Sequence, residues 1–289
     1  MIKYYLVTTD HLEEGLWFRD ERDFIAGMNF VAIQAFTSKV TVLAFILMSN
    51  HVHFVVRGRY KEVKAFIDRF KSCHSKYLHN KYGTFEFLRR NGVKIDELSA
   101  WDESVEKAIA YSQMNSVVAN ICSHPAQYPW GTGALFFSAS KPMGTRLGDL
   151  SKRARIRILH SCKVDLPADW LVAEEGYILP GSYVDTPFVE SLFRTPKRMN
   201  YFYANSSKAK RKIESSEANR PAFKDQVILA ALPDLFRSLF QKQRFEELSP
   251  SEKTESLRQI RFRFCSNVHQ IARVTGLTYE AAARMLDCV

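Results

Sequence analysis

At 289 residues, 46% of them hydrophobic, the chain is long enough to bury a sizeable core in one large domain or two to three small ones. No run of about 18 apolar residues marks a membrane span, and Met1-Ile-Lys-Tyr-Tyr lacks the layout of a secretory signal, so a cytoplasmic protein with no membrane partner is expected. The net charge of +10 favours a polyanionic partner, and the five cysteines, none in Cys-x-x-Cys spacing, indicate neither a zinc knuckle nor a disulfide framework.

Ile2 to Thr9 alternates and is rich in β-branched and aromatic residues, which predicts a first strand. Apolar residues at Phe24, Met28, Val31 and Ala35 predict a helix over Arg22 to Phe36. Lys39 to Val56 reads as one long strand or as two joined near Ser49. Tyr60 to Asn80 is a helix with an apolar face of Val63, Phe66, Ile67, Phe70 and Tyr77. Its other face carries Lys64, Arg69, Lys71 and Lys76, either a track for a phosphate backbone or a solvated surface. Lys81-Tyr-Gly-Thr84 ends it, and Phe85 to Val93 is a candidate fourth strand. Ser and Asp ahead of Glu near Ser99 to Ser104 start a helix expected to run to Cys122, burying Ala110, Met114, Val117 and Ile121.

Past Trp130 the pattern loosens. Gly131 to Lys152 reads as loop, and Arg153 and Arg155 sit in a short basic run that either touches nucleic acid or is solvated. Leu166 to Tyr203 looks irregular, and Lys208 to Asn219 looks like an exposed connection. Ser251 to Asn267 is a basic helix. Val268 to Leu286 then reads as helix, Gly-centred turn and helix, with Ile271, Val274, Leu277, Ala282 and Leu286 as its core. That is the outline of a helix-turn-helix placing Arg273 and Arg284 toward DNA, or of an ordinary packed corner.

The chemistry concentrates in Val40 to Arg57, an apolar stretch that carries His51 and His53. Side chains alternate faces along a strand, so both imidazoles point one way, either as half of a divalent metal site or as hydrogen-bonded core or rim residues. Met48-Ser-Asn-His-Val-His-Phe-Val-Val resembles the Met-Pro-Asn-His-x-His segment of the HUH-type single-tyrosine transposases, most of all the REP-associated tyrosine transposases, with Ser49 in place of the usual Pro. Leu16 to Asp23 is similar to a Leu-Phe element of that family. A second block, Tyr111-Ser-Gln-Met-Asn-Ser-Val-Val through Tyr128-Pro-Trp130, resembles the family's Tyr-Ile-x-x-Asn-Pro-Val segment, with Ser116 and Asn120 replacing Pro and Gly.

The resemblance implies an α+β fold, a ferredoxin-like antiparallel sheet with helices over residues 1–140, ahead of a basic middle region at 141–220 and a mostly helical region at 221–289. It implies that Tyr111 is the nucleophile, that His51, His53 and Asn115 hold Mg or Mn, and that the substrate is single-stranded DNA read through a hairpin. The enzyme would act as a monomer or homodimer, cutting and rejoining DNA through a covalent 5′-phosphotyrosine. Tyr77, also on a helix after the His pair, is the rival nucleophile. A catalytically idle DNA-binding regulator of the same fold is the alternative reading.

Overall fold

The structure, a computed structural model, describes residues 1–9, 16–83, 92–119, 121–140, 143–160, 165–206, 223–264 and 266–287. The chain opens with β1 (Lys3–Thr8), α1 (Glu21–Ser38), β2 (Thr41–Leu47), β3 (Val52–Gly58), α2 (Tyr60–Tyr82) and β4 (Lys94–Leu98). The four strands stand in the order β2-β3-β1-β4, antiparallel throughout. With β3 inserted between β1 and β2, this is the split βαββαβ arrangement called ferredoxin-like. The stretch from Lys39 to Val56 is thus two strands joined across Met48 to His51. The strand expected over Phe85 to Val93 falls largely on residues outside the described set, and β4 begins at Lys94. The connection expected over Lys208 to Asn219, and Asn120, also lie outside it.

Alternation gives the sheet two distinct faces. Val52, Phe54 and Val56 turn toward α1 and α2, where Phe54 packs edge-on to Phe66 and Phe70. Asp20 caps α1 by accepting from Asp23 N–H, and Gly83 ends α2 in the left-handed region at φ 73°. His51, His53, Val55 and Arg57 turn the other way. On that side α3 (Ser104–Gln113) lies against β2 and β3 and α6 (Thr186–Phe193) against β2, with α4 (Asn115–Val118) following α3 and α7 (Pro196–Ala204) packed on α3 and α6.

The helix expected to run unbroken to Cys122 instead stops at Gln113 and restarts at Asn115. The Asn115 side chain donates to Tyr111 O (3.1 Å) and Ser112 O (2.9 Å), competing with the backbone for those carbonyls.

Residues 143–206 carry α5 (Lys152–Leu159), a two-residue ladder of Thr145–Arg146 with Leu171–Val172, and α6 and α7. Ile178, Val184, Val189 and Phe193 are buried in the same core as the sheet. A buried Asn29 on α1 ties this segment down: it donates to Ile158 O and Gly176 O and accepts from Ile178 N–H.

The C-terminal helices α8 (Asp225–Phe240), α9 (Pro250–Phe264), α10 (Val268–Thr275) and α11 (Tyr279–Asp287) close around a second core of Ile228, Leu232, Phe236, Ile260, Ile271, Ala282 and Leu286. Gly276, at φ 73°, makes the turn between α10 and α11. No helix among the described residues is long and apolar enough to cross a membrane.

Candidate active site

Two elements meet at the site. β3 and the turn residue directly before it present His53 and His51 on the face away from α1 and α2, and α3 crosses that face. The ring of Tyr111 stands edge-on to that of His53, with centroids 5.6 Å apart. The two imidazoles are themselves edge-on at 5.0 Å. Asn115 Oδ1 lies 3.4 Å from His51 Nε2. The four residues that the two sequence blocks single out, His51 in the turn before β3, His53 on β3, Tyr111 on α3 and Asn115 at the start of α4, therefore converge on one patch. His53 and Asn115 are buried, whereas Tyr111 and His51 remain partly exposed, so the patch opens to solvent beside the hydroxyl-bearing ring.

The hydrogen bonds fix which atoms face each other. Asn115 spends its NH2 on Tyr111 O and Ser112 O, which leaves its oxygen aimed at His51. On the far side of the ring, His51 Nδ1 lies 2.8 Å from Asn50 Oδ1. Each contact joins a ring nitrogen to an amide group, and which nitrogen carries the proton depends on how the Asn50 amide is turned. Donors about 2.1 Å from a common ion stand about 3.0 to 3.4 Å apart, depending on bond angle, and the spacing here fits that range. Among the described residues no three His, Cys, Asp or Glu side chains are grouped to hold a metal ion, and the side-chain oxygen that faces His51 is that of the Asn115 amide. Two imidazoles and an amide oxygen suit Mn or Mg.

Two neighbours were not singled out in the sequence. Asn50 orients His51; its signal was a polar residue in the turn directly before the pair. Thr8 pairs directly with His53 across β1 and β3, so it shares the His face; its signal was a polar residue at the end of an alternating strand.

Tyr77 is not brought to the pair. It lies on α2, on the opposite face of the sheet, packed against Phe30, His74 and His160. Burial pushes its phenol up to about 12.

The basic residues are dispersed. Lys64, Arg69, Lys71 and Lys76 line α2 on the face remote from the His pair. Lys64 pairs with Asp68 at 2.6 Å, and burial pushes the Lys71 amine down. Arg153 and Arg155 are on α5, which packs on α1 and so belongs to the same side.

In the C-terminal unit, Arg273 Nε donates to the buried Asp225 at 2.9 Å, while Arg284 is exposed on α11. Burial alone would raise the Asp225 carboxyl; the Arg273 charge, with bonds from Arg273, Gln270 and Ser49, overcomes it and holds the group below the usual carboxylate range. The Ser49 bond matters for placement, because Ser49 is in the turn that leads into His51. Gln226 reinforces the junction by donating to Phe18 O, and Trp17 and Phe18 N–H both donate to Ser49 O.

No family model matches the chain, and no curated protein matches it. Among solved structures, the chain is similar to a REP-associated tyrosine transposase bound to a REP hairpin, with a TM-score of 0.32 and 9% sequence identity over 60% of this chain and 93% of that one.

Proposed function

We propose that the protein is a metal-assisted tyrosine nuclease and strand transferase of the HUH type, acting on single-stranded DNA that carries a hairpin. The observation that carries this reading is the convergence of His51, His53, Tyr111 and Asn115 on one patch, with the Asn115 oxygen turned toward His51 by its own anchored NH2.

His51, His53 and Asn115 would hold a divalent cation, which supplies Lewis-acid polarisation of a phosphodiester. Tyr111 contributes the nucleophile. Its oxygen bonds to phosphorus, the bond from phosphorus to the 3′ oxygen breaks, and the phenolic proton passes, net, to the released 3′ hydroxyl. The product is a 5′-phosphotyrosine whose bond energy is conserved, so rejoining is the reverse attack by a 3′ hydroxyl and needs no nucleotide. A phenol has an ordinary pKa of about 10 and is neutral at pH 7, which is why attack needs the polarised phosphate.

The basic charge of the chain suits the DNA backbone, and the helix-turn-helix outline of α10 and α11 offers Arg284 as a contact.

The test is a hairpin oligonucleotide with a single-stranded flank, incubated with protein and Mn and run on a denaturing gel. Wild type and Tyr77→Phe are expected to form a covalent adduct. Tyr111→Phe, which removes only the hydroxyl, is expected to fold, bind DNA and form none. Adduct formation by Tyr111→Phe would overturn the assignment. DNA binding without an adduct by any form would leave the idle-regulator reading.

A further inference from the structure

The interior face of β1 carries a group that the proposed chemistry has not used. Thr8 is 6% exposed, and its hydroxyl oxygen is buried with no hydrogen-bond partner. A buried hydroxyl left without a partner costs about 1 to 3 kcal/mol, so such a position is kept for a reason or filled by something that binds. The strand register says where it points. Thr8 stands opposite His53 on one side and Lys94 on the other. Thr9 N–H donates to Val52 O, which makes 9 and 52 a hydrogen-bonded pair and the next pair, Thr8 and His53, a non-hydrogen-bonded one. Side chains in such pairs lie closest, with Cβ atoms about 4.5 to 5.5 Å apart on the same face. The neighbouring Thr9 makes a contrast: its hydroxyl, on the other face, accepts from Val52 N–H at 2.9 Å.

We infer that Thr8 Oγ is a fourth protein donor to the cation that His51, His53 and Asn115 would hold, an inference that rests on the metal site proposed above. A hydroxyl oxygen is a hard ligand of the kind that Mg and Mn take from Ser or Thr in phosphate-handling sites. Its place on β1 would make the site span three elements: strand β1, strand β3 with the turn before it, and the α3–α4 junction. It also biases the donor set toward hard ions, since a third nitrogen or a thiolate there would favour zinc.

The test is Mn titration by calorimetry on the full chain, with wild type, His53→Ala, Thr8→Val and Thr8→Ser, each first checked for cooperative thermal unfolding. Valine matches threonine in size and branching and suits a strand, so Thr8→Val removes the hydroxyl and keeps the packing. Thr8→Val is expected to weaken Mn binding at least tenfold, with Thr8→Ser close to wild type. Wild-type affinity in Thr8→Val, while His53→Ala loses binding, would overturn the role of Thr8 and leave the three-residue site standing. Equal losses in Thr8→Val and Thr8→Ser would show that any change of shape at this position weakens binding, whether or not the hydroxyl is kept, and would also overturn it. Equal Mn binding by wild type and His53→Ala would overturn the metal site and this inference together.

Discussion

Asn115 makes two kinds of contact, and they can be separated by one atom. Its NH2 closes the break between α3 and α4 through Tyr111 O and Ser112 O, and its oxygen faces His51. Asn115→Asp keeps the oxygen and replaces the NH2 with an acceptor that faces two carbonyls. Stability without metal is expected to fall by about 2 kcal/mol in urea unfolding. Added Mn is expected to recover part of that loss in Asn115→Asp and to gain less in wild type, because a carboxylate is the stronger ligand. At this scale the sequence was most legible. The His-Val-His spacing and the Tyr-to-Asn spacing of four each fix a face without knowledge of the rest of the fold. Thr8 was not legible, because its significance depends on which residue of which strand lies opposite. Asn50 was not, because nothing in the sequence tells a turn residue that bonds a neighbouring ring from one that bonds water.

Helix α2 packs on α1 along a seam where His74 is fully buried among Trp17, Phe18, Phe30 and Phe70. Burial lowers its pKa to about 4, against the pull of Trp17 O, which accepts from Nε2 at 2.8 Å. The ring is therefore neutral in the folded chain, and the unfolded chain binds a proton first as pH falls. The sign follows from the depressed pKa: this contribution is whole above about pH 6.5 and is lost as pH falls toward 4, by about 3 kcal/mol in all. His74→Gln is expected to lose stability at neutral pH and to show a shallower fall across that window, read from urea midpoints at each pH. The long elements α1 and α2 were legible from period alone, since each repeats its apolar face over several turns. The short ones were not: α6 and α7 have too few turns for a period to emerge. Their signal was instead local, in Asp185-Thr-Pro and Thr195-Pro, each a capping side chain followed by proline in the first turn. The early end of α3 was hidden because Asn115 looks like any polar helix residue until its side chain is seen taking the carbonyls.

At the scale of the whole molecule, the basic side chains singled out for DNA among the described residues lie on α2, α5 and the C-terminal helices rather than beside the His pair. Arg273 illustrates why residue type alone misleads: a basic residue on a candidate DNA-reading helix is engaged with Asp225, which is 1% exposed. Asp225→Ala would strand a largely buried guanidinium and is expected to destabilise the C-terminal helices by about 3 kcal/mol. Because these helices have a core of their own, that loss is expected to appear as earlier unfolding of residues 223–287, seen as faster hydrogen exchange there than in the sheet. Uniform acceleration across both cores would show that the two unfold as one.

The two edges of the sheet differ, and the difference bears on self-association. The β2 edge is occupied by its own chain: Leu47 N–H donates to Trp130 O, Thr132 N–H to Phe45 O and Asp185 N–H to Val42 O. A Cβ on Gly131 would stand 2.8 Å from Phe45 O, so the chain can lie that close only because the residue is glycine. The β4 edge carries Lys94, Asp96 and Glu97 in a five-residue strand, a short and charged rail that resists pairing with a second copy. Growth of the sheet from chain to chain is thus blocked at one end by occupation and opposed at the other by charge. The strands that carry Thr8 and His53 are thereby kept inside a single chain, with neighbours of that chain on both sides.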